Sequence, residues 1–467
     1  MVLKKNALYG LFVLLVNVIC YVCIYCISSN SDSLSSIKII MPFAIVSFFI
    51  QFVLLAKLKG SFLSNYGLFI VAFVVFHFGL FTVYAFGGTY NYFYLNSYDA
   101  SIVIKCFLYE YLCAGALFFV PTFFSKEKPL PFKVINNANE NHIHTLGIIL
   151  TIVTGLVAFV LIAIKSFVFF RGGYYEGVRQ FESSVNSGIS LIEYMFIPFV
   201  ALTIIYTDKK NIKTILLIVL VLWSLLTAIL GDRTSGIAGL LLAFLIYLSK
   251  KPKATNQKKR LFPRFIVVII LAFLTLGLIA FISSYRETGS FEFGSGIGAI
   301  NDALGEMGSS YFPVVLIMNI CPSKYGFLYG QSYGYSILSG FVPESIDFTG
   351  FISRWISLAF EPRNWISLNY DYTFGVGYSL CAESYANFGT LGFVAIFIIG
   401  CILYKLFISS NNKFSIYCSL ILLFEYITLP RRNFYYVLNH FFYCVLMVAL
   451  VIVMFCNKKE GKRHLAL

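Results

Sequence analysis

Charge is what this chain has least of. Only 12% of its 467 residues are Asp, Glu, Lys or Arg, against 59% hydrophobic residues, and the mean hydropathy is +0.82. A chain of this length could make two or three soluble domains, but not with so little polar surface, so soluble globular classes are excluded. Common catalytic signatures are missing as well. There is no His-x-x-Glu-His, no phosphate-cradling lysine loop, no Gly-x-Ser-x-Gly and no Asp-x-Asp pair on an external loop, so metal-dependent chemistry has no support in the sequence. Internal repeats are absent too, whereas inverted repeats with broken helices would have favoured a transporter.

Long apolar runs are what the chain has instead. At roughly 20 residues per span, about twelve transmembrane helices are predicted. They fall near residues 7–28, 38–56, 66–86, 102–124, 145–166, 189–206, 213–230, 235–249, 265–283, 390–408, 415–429 and 434–456. The fold class expected is an all-α polytopic integral membrane protein with one long external loop containing short helices. The first run follows Lys4 and Lys5 as in a signal peptide, but it is long enough to span and lacks a small-x-small cleavage site, so a retained helix is expected.

The net charge of +14 does not indicate nucleic-acid binding, because the lysines sit in short loops between spans. Lys57 and Lys59, Lys126 to Lys133, Lys209 to Lys213, the run KKPKATNQKKR, Lys405, Lys413 and the tail KKEGKR all fall on one side. That side is cytoplasmic by the positive-inside rule, and both termini lie there. The organisation expected is spans one to nine over 1–283, an external segment over 284–389, and spans ten to twelve with a cytoplasmic tail over 390–467.

The eleven cysteines mostly lie in apolar runs, where Cys behaves as a small hydrophobe. Cys20, Cys23 and Cys26 have metal-site spacing but no His or carboxylate beside them. Cys321 and Cys381 are the pair placed outside, as a disulfide or as two thiols.

Positive charge on the outer side is mostly Arg, the residue suited to bidentate phosphate contacts. GDRTSG at 231–236 leads into a short apolar run, Ile237 to Leu248. Thr234 or Ser235 can cap that helix, and its amides with Arg233 would make an anion site; a tight turn pairing Asp232 with Arg233 is the plainer alternative. In LPRRNFYYVLNHFF, after Arg431, the residues Arg432, Tyr436 and His440 stand at i, i+4, i+8 and are predicted to share a helix face. In YSLCAESYANFGTLG the same spacing groups Ser379, Glu383 and Asn387. A carboxylate entering a membrane helix is expensive unless paired or facing a wet cavity, so Glu383 is either salt-bridged to an external Arg or a proton acceptor. Asp302 and Glu306, at i, i+4, mark a helix that either lines a cavity or is solvated. FFRGGYYEGVRQFE adds Arg171 and Arg179 with aromatics suited to stacking on sugar rings.

Taken in order, GDRTSGIAGLLLAFLIYL, EMGSSYFPVV, YGFLYGQSYGYSI, GVGYSLCAESYANFGTLGFVAIFIIG and RRNFYYVLNH resemble the Wzy-type oligosaccharide repeat unit polymerases of bacterial O-antigen and capsule synthesis. The resemblance covers roughly residues 165–455. The double R-x10-G pattern of some members is not present, since Glu182 stands where the Gly paired with Arg171 would be. The resemblance implies a GT-C-like, multi-span glycosyltransferase on the outer face of the bacterial inner membrane. It would join undecaprenyl-pyrophosphate-linked oligosaccharides without metal or other cofactor. Glu383, with His440 second, would take the acceptor proton; Arg233, Arg286, Arg432, Arg431 and Arg171 would bind pyrophosphate. The implied partners are the lipid-linked substrate, the bilayer, a chain-length regulator and a flippase. A flippase, a ligase or a non-catalytic scaffold are the alternative functions. A flippase has little use for so long an external segment, and a scaffold has none for Arg and acids along helix faces.

Overall fold

The computed structural model describes residues 2–29, 33–59, 64–88, 90, 92–124, 139–173, 177–249, 277, 296–341, 351–370, 377–408 and 412–456. Among these residues there is helix and no strand, as lipid requires of a chain that must satisfy its own backbone. In chain order the main helices are α1 (Val2–Ser29), α2 (Ile37–Lys59), α3 (Asn65–Ala85), α4 (Ala100–Phe119), α5 (Glu140–Gly173), α6 (Ser187–Tyr194), α7 (Phe196–Tyr206), α8 (Lys210–Ile229) and α9 (Arg233–Ser249). They continue as α10 (Gly296–Met307), α11 (Phe312–Ile320), α12 (Gln331–Phe341), α13 (Pro362–Asn369), α14 (Leu380–Phe388), α15 (Gly392–Phe407), α16 (Lys413–Tyr426), α17 (Tyr435–Phe441) and α18 (Val448–Cys456).

Among the described residues, 10 helices are long and apolar enough to cross a membrane. They match the expected runs except the eighth, present as the shorter Thr234–Tyr247, and the ninth, 265–283, which lies outside the described residues. The protein is therefore an all-α polytopic membrane protein.

The chain forms two compact units. The first comprises Met1–Glu127, Phe293–Lys405 and Tyr426–Asn439. Its spans are stapled by buried polar side chains. Asn17 and Gln51 exchange hydrogen bonds at 3.0 and 3.1 Å, Gln51 donates to Ser47, and Ser47 meets the Tyr111 hydroxyl at 2.6 Å, linking α1, α2 and α4. His77 on α3 and Glu110 on α4 pair at 2.6 Å, both fully buried. Small residues then let the backbones of α3 and the turn after α10 touch: a Cβ on Gly308 would lie 2.0 Å from the Leu80 nitrogen. The helix α11 is buried almost throughout, from Phe312 to Ile317. The segment expected as one external polar surface therefore contains a core helix. Its nine residues are too few to count as a span, so hydropathy alone does not flag them.

The second unit comprises Lys128–Glu292, Leu406–Glu425 and His440–Leu467. There α8 and α9 pack through Gly236 and Gly239, whose Cβ positions would fall 2.6 Å from Ala228 Cβ and 2.2 Å from Ser224 Oγ. Thr151 and Thr203 bridge α5 and α7 at 3.0 Å.

Candidate functional site

In the first unit the site is built on α14. Ser379 caps this helix by accepting from the Cys381 amide, and Glu383 and Asn387 follow on a buried face, at 2% and 0% exposure. The helix ends at Gly389, whose φ of 59° and close contact with the Phe327 ring (2.9 Å from a Cβ there) suit glycine. The carbonyls left over at that end are taken by the loop before α12: Leu328 N–H donates to Ala386 O and Tyr329 N–H to Asn387 O, both at 3.0 Å, and Gly330 N–H reaches Asn387 Oδ1. This docking brings Ser332 and Tyr333 over α14. Ser332 Oγ donates to Glu383 Oε1 at 2.8 Å and accepts from Asn387 Nδ2 at 2.6 Å, while the Tyr333 hydroxyl lies 2.9 Å from Ser384 Oγ.

The second oxygen of Glu383 binds the turn before the last span. Pro430 sits in a 3₁₀ turn, Leu429–Arg431, after which Arg432 is extended and the helix restarts only at Tyr435. Phe434, standing before that restart, donates its amide to Glu383 Oε2 at 2.6 Å. Its neighbour Asn433 donates through Nδ2 to Glu361 Oε1 at 3.1 Å, and Ser357 donates to Glu361 Oε2 at 3.0 Å. Arg432 therefore does not share a helix face with Tyr436 and His440, as the spacing predicts. Its guanidinium instead packs 4.5 Å from the Tyr436 ring, and that of Arg431 lies 5.6 Å from the Phe76 ring. Among the described residues neither Glu383 nor Arg432 has an ion-pair partner. The salt-bridged alternative for Glu383 is thus not what these residues form.

Two phenols complete the cluster. Tyr378 is 4% exposed and its hydroxyl has no hydrogen-bond partner among the described residues. Burial first, then Glu383 and Glu361, pushes its pKa well up, with Arg363 opposing. Burial and Glu383 do the same for Tyr333. Both therefore remain hydroxyl donors.

In the second unit His440 belongs to a different cluster. Its Nδ1 meets the Tyr194 hydroxyl and lies 3.1 Å from Glu425 Oε2. Tyr194 also stands 3.0 Å from Cys444 Sγ, whose carbonyl accepts from Tyr417 at 2.7 Å. A π-helical stretch, Phe442–Met447, follows His440, a backbone feature that recurs at functional sites. Arg171, in the last turn of α5, packs 4.5 Å from the Phe167 ring. Arg233 opens α9, but the cap there is neither Thr234 nor Ser235: Asp232 accepts the Ser235 amide at 3.1 Å. A carboxylate of the chain itself thus already occupies that helix end. Arg286 lies outside the described residues. Cys321 and Cys381 are free thiols.

The structure therefore gathers Glu383, Arg431 and Arg432 in one unit, and places His440, Arg171 and Arg233 in the other. Sequence reasoning missed Ser332, Asn433 and Glu361 as members of the Glu383 cluster, which long-range folding assembles, and missed Tyr378, which directly precedes the cap of the Glu383 helix. It also missed Glu425, an acid within the span Lys413–Arg431, whose position alone makes it a functional candidate. Among the described residues no group of three His, Cys, Asp or Glu side chains is placed to hold a metal ion.

Fold and site define a multi-pass, all-helical membrane protein whose polar chemistry is concentrated in buried acid clusters at helix ends. The sequence matches the family model O-antigen polysaccharide polymerase Wzy over residues 10–460, and the chain belongs to that family. At the level of the family it is an enzyme of O-antigen polymerisation, acting on lipid-linked oligosaccharide in the membrane. No curated protein and no solved structure matches it.

Proposed function

We propose that this chain joins undecaprenyl-pyrophosphate-linked oligosaccharide repeat units by glycosyl transfer on the outer face of the bacterial inner membrane, with both termini cytoplasmic and no metal. The observation that carries the reading is Glu383. It is a buried carboxylate without an ion-pair partner among the described residues, held by Ser332 and by the Phe434 amide just after the turn that carries Arg431 and Arg432. Each of its oxygens keeps a second lone pair.

In the reaction the acceptor hydroxyl gives its proton to Glu383 and its oxygen bonds the donor's anomeric carbon. The bond from that carbon to pyrophosphate breaks, and the pyrophosphate leaves with the electron pair. Guanidinium groups already fixed by stacking on Tyr436 and Phe76 stabilise that charge without reorganising. Arg233, Arg286 and Arg171 are the further pyrophosphate candidates. His440, held by Glu425 and Tyr194, is the second acid–base candidate. The orientation rests on the lysine bias of the loops, and the segment 284–389 serves as external lid and acceptor platform. A chain-length regulator and a flippase are the partners proposed.

The test is reconstitution. Purified protein in liposomes with lipid-linked repeat units should make polymer in EDTA, and complete loss of polymer in EDTA sinks the metal-independent mechanism.

A further inference from the structure

Two buried polar atoms around the Glu383 helix have no hydrogen-bond partner among the described residues. They are the Tyr378 hydroxyl and Asn433 Oδ1, on side chains of residues 4% and 7% exposed. Leaving such a group unpaired costs about 1–3 kcal/mol, and native proteins carry few of them. Both are linked to Glu361. Asn433 Nδ2 is committed to Glu361, which fixes the amide so that Oδ1 is the unpaired end. Tyr378 lies within electrostatic reach of both Glu383 and Glu361. Glu361 itself is only half-buried, and Ser357, which donates to it, is held in turn by Asn364 at 2.7 Å. A fixed, half-buried carboxylate thus holds the amide whose oxygen is an acceptor without a partner among the described residues, and a phenol without one there stands within its electrostatic reach.

We propose that Tyr378, Asn433 and Glu361 form a subsite that binds the hydroxyl groups of the acceptor sugar next to Glu383. The donor and acceptor mix decides the ligand class. A fully ionised phosphate, which only accepts hydrogen bonds, is matched by Tyr378 but not by the Glu361 carboxyl oxygens or Asn433 Oδ1. A sugar hydroxyl both donates and accepts, so one sugar ring can take the Tyr378 proton on one oxygen and give protons to Asn433 Oδ1 and Glu361 from others. Anion and polyol recognition are then divided within one unit. Arg431 and Arg432 face the first task, and the phenol, amide and carboxylate face the second. The inference rests on the reading of Glu383 as proton acceptor only for its role in the reaction, not for binding.

Binding can be measured apart from turnover. The probe is the oligosaccharide released by mild acid from the lipid-linked repeat unit of the producing strain, titrated calorimetrically into the purified full-length protein. Tyr378→Phe removes one hydroxyl; it should weaken binding about tenfold, the value of one well-made hydrogen bond, while the thermal midpoint stays level or rises. Binding within twofold of the unmodified protein overturns the proposal. So does a fall in the midpoint with unchanged binding, the signature of a structural water. Should Tyr378→Phe fail to fold, Glu361→Ala gives the same reading: about tenfold weaker binding supports the subsite, unchanged binding refutes it. Glu383→Gln separates this inference from the mechanism. If Glu383→Gln still polymerises while Tyr378→Phe loses the probe, the base assignment falls and the subsite stands.

Discussion

The Phe434 amide donates to Glu383 Oε2 across 2.6 Å, tying the entry to the last span to the helix that opens Leu380–Phe407. The bond exists because Pro430 and the extended Arg432 delay the helix until Tyr435, which leaves Phe434 with an amide that no helical carbonyl claims. It fixes the carboxylate, and Arg432 stands two residues before the Phe434 amide that binds it. In the proposed reaction the proton acceptor on α14 is thereby tied to the turn that carries the guanidinium groups.

Arg432 should matter for turnover more than for folding. Its guanidinium has a ring to stack on but no acid partner among the described residues. Arg432→Ala is expected to slow polymerisation about 100-fold, with little change in thermal midpoint. Arg432→Lys should recover little, because an ammonium neither stacks as a plane nor offers a paired fork of donors. Initial rates on purified lipid-linked repeat units check both variants.

Gly308 is a packing requirement. A Cβ there meets the backbone of α3, at 2.0 Å from Leu80 N and 2.5 Å from Gly79 C, and no side-chain rotation relieves it. Gly308→Ala should lower stability by about 2 kcal/mol or more, seen as a fall in the unfolding midpoint in detergent. Gly326→Ala, whose Cβ has open space around it, is the matched comparison and should unfold near the unmodified protein.

His77 and Glu110 pair in full burial, each with a second polar atom, Nε2 and Oε2, left unbonded among the described residues. Removing one partner strands the other, so Glu110→Ala should cost about 3–5 kcal/mol. The double variant His77→Phe/Glu110→Leu removes both demands and should be the more stable of the two. If the double variant were worse, the pair would be more than a buried staple.

Asp302 sits on α10 with Glu306 one turn on; burial first and that neighbouring carboxylate second hold its pKa above the ordinary 3.8. Folding therefore favours its protonated form. The stability this contributes is fully present below pH 3.8 and is lost as pH rises through the raised value. Asp302→Asn should thus raise the thermal midpoint slightly at neutral pH, with the difference vanishing in acid. The side chain is exposed, so solvent screening keeps the effect small. Midpoints of both proteins across the acid range provide the check.

The spans were legible because a lipid-length apolar run leaves a helix as its main solution. Local spacing also served well where the helix was continuous, as for Glu383 with Asn387 and Asp302 with Glu306. It failed at Arg432, where a proline turn interrupts the periodicity, and at GDRTSG, where Asp232 rather than a hydroxyl residue captures the first-turn amide. Glu361, Ser332 and Asn433 join Glu383 only through tertiary contacts between segments tens of residues apart, and no local pattern announces them; Tyr378 stands just before the cap of the Glu383 helix and was within reach of a local reading. Glu425, by contrast, was open to reading, because an acid in an apolar span stands out without any contact map.

Glu383 carries the central claim, and one substitution addresses it most directly. Glu383→Gln keeps the size and one hydrogen-bond acceptor for the Phe434 amide but cannot take a proton at working pH. Reconstituted in liposomes with lipid-linked repeat units and EDTA, it should fold normally and polymerise about 100- to 10,000-fold more slowly than the unmodified protein. Polymer formed at the unmodified rate would contradict the account.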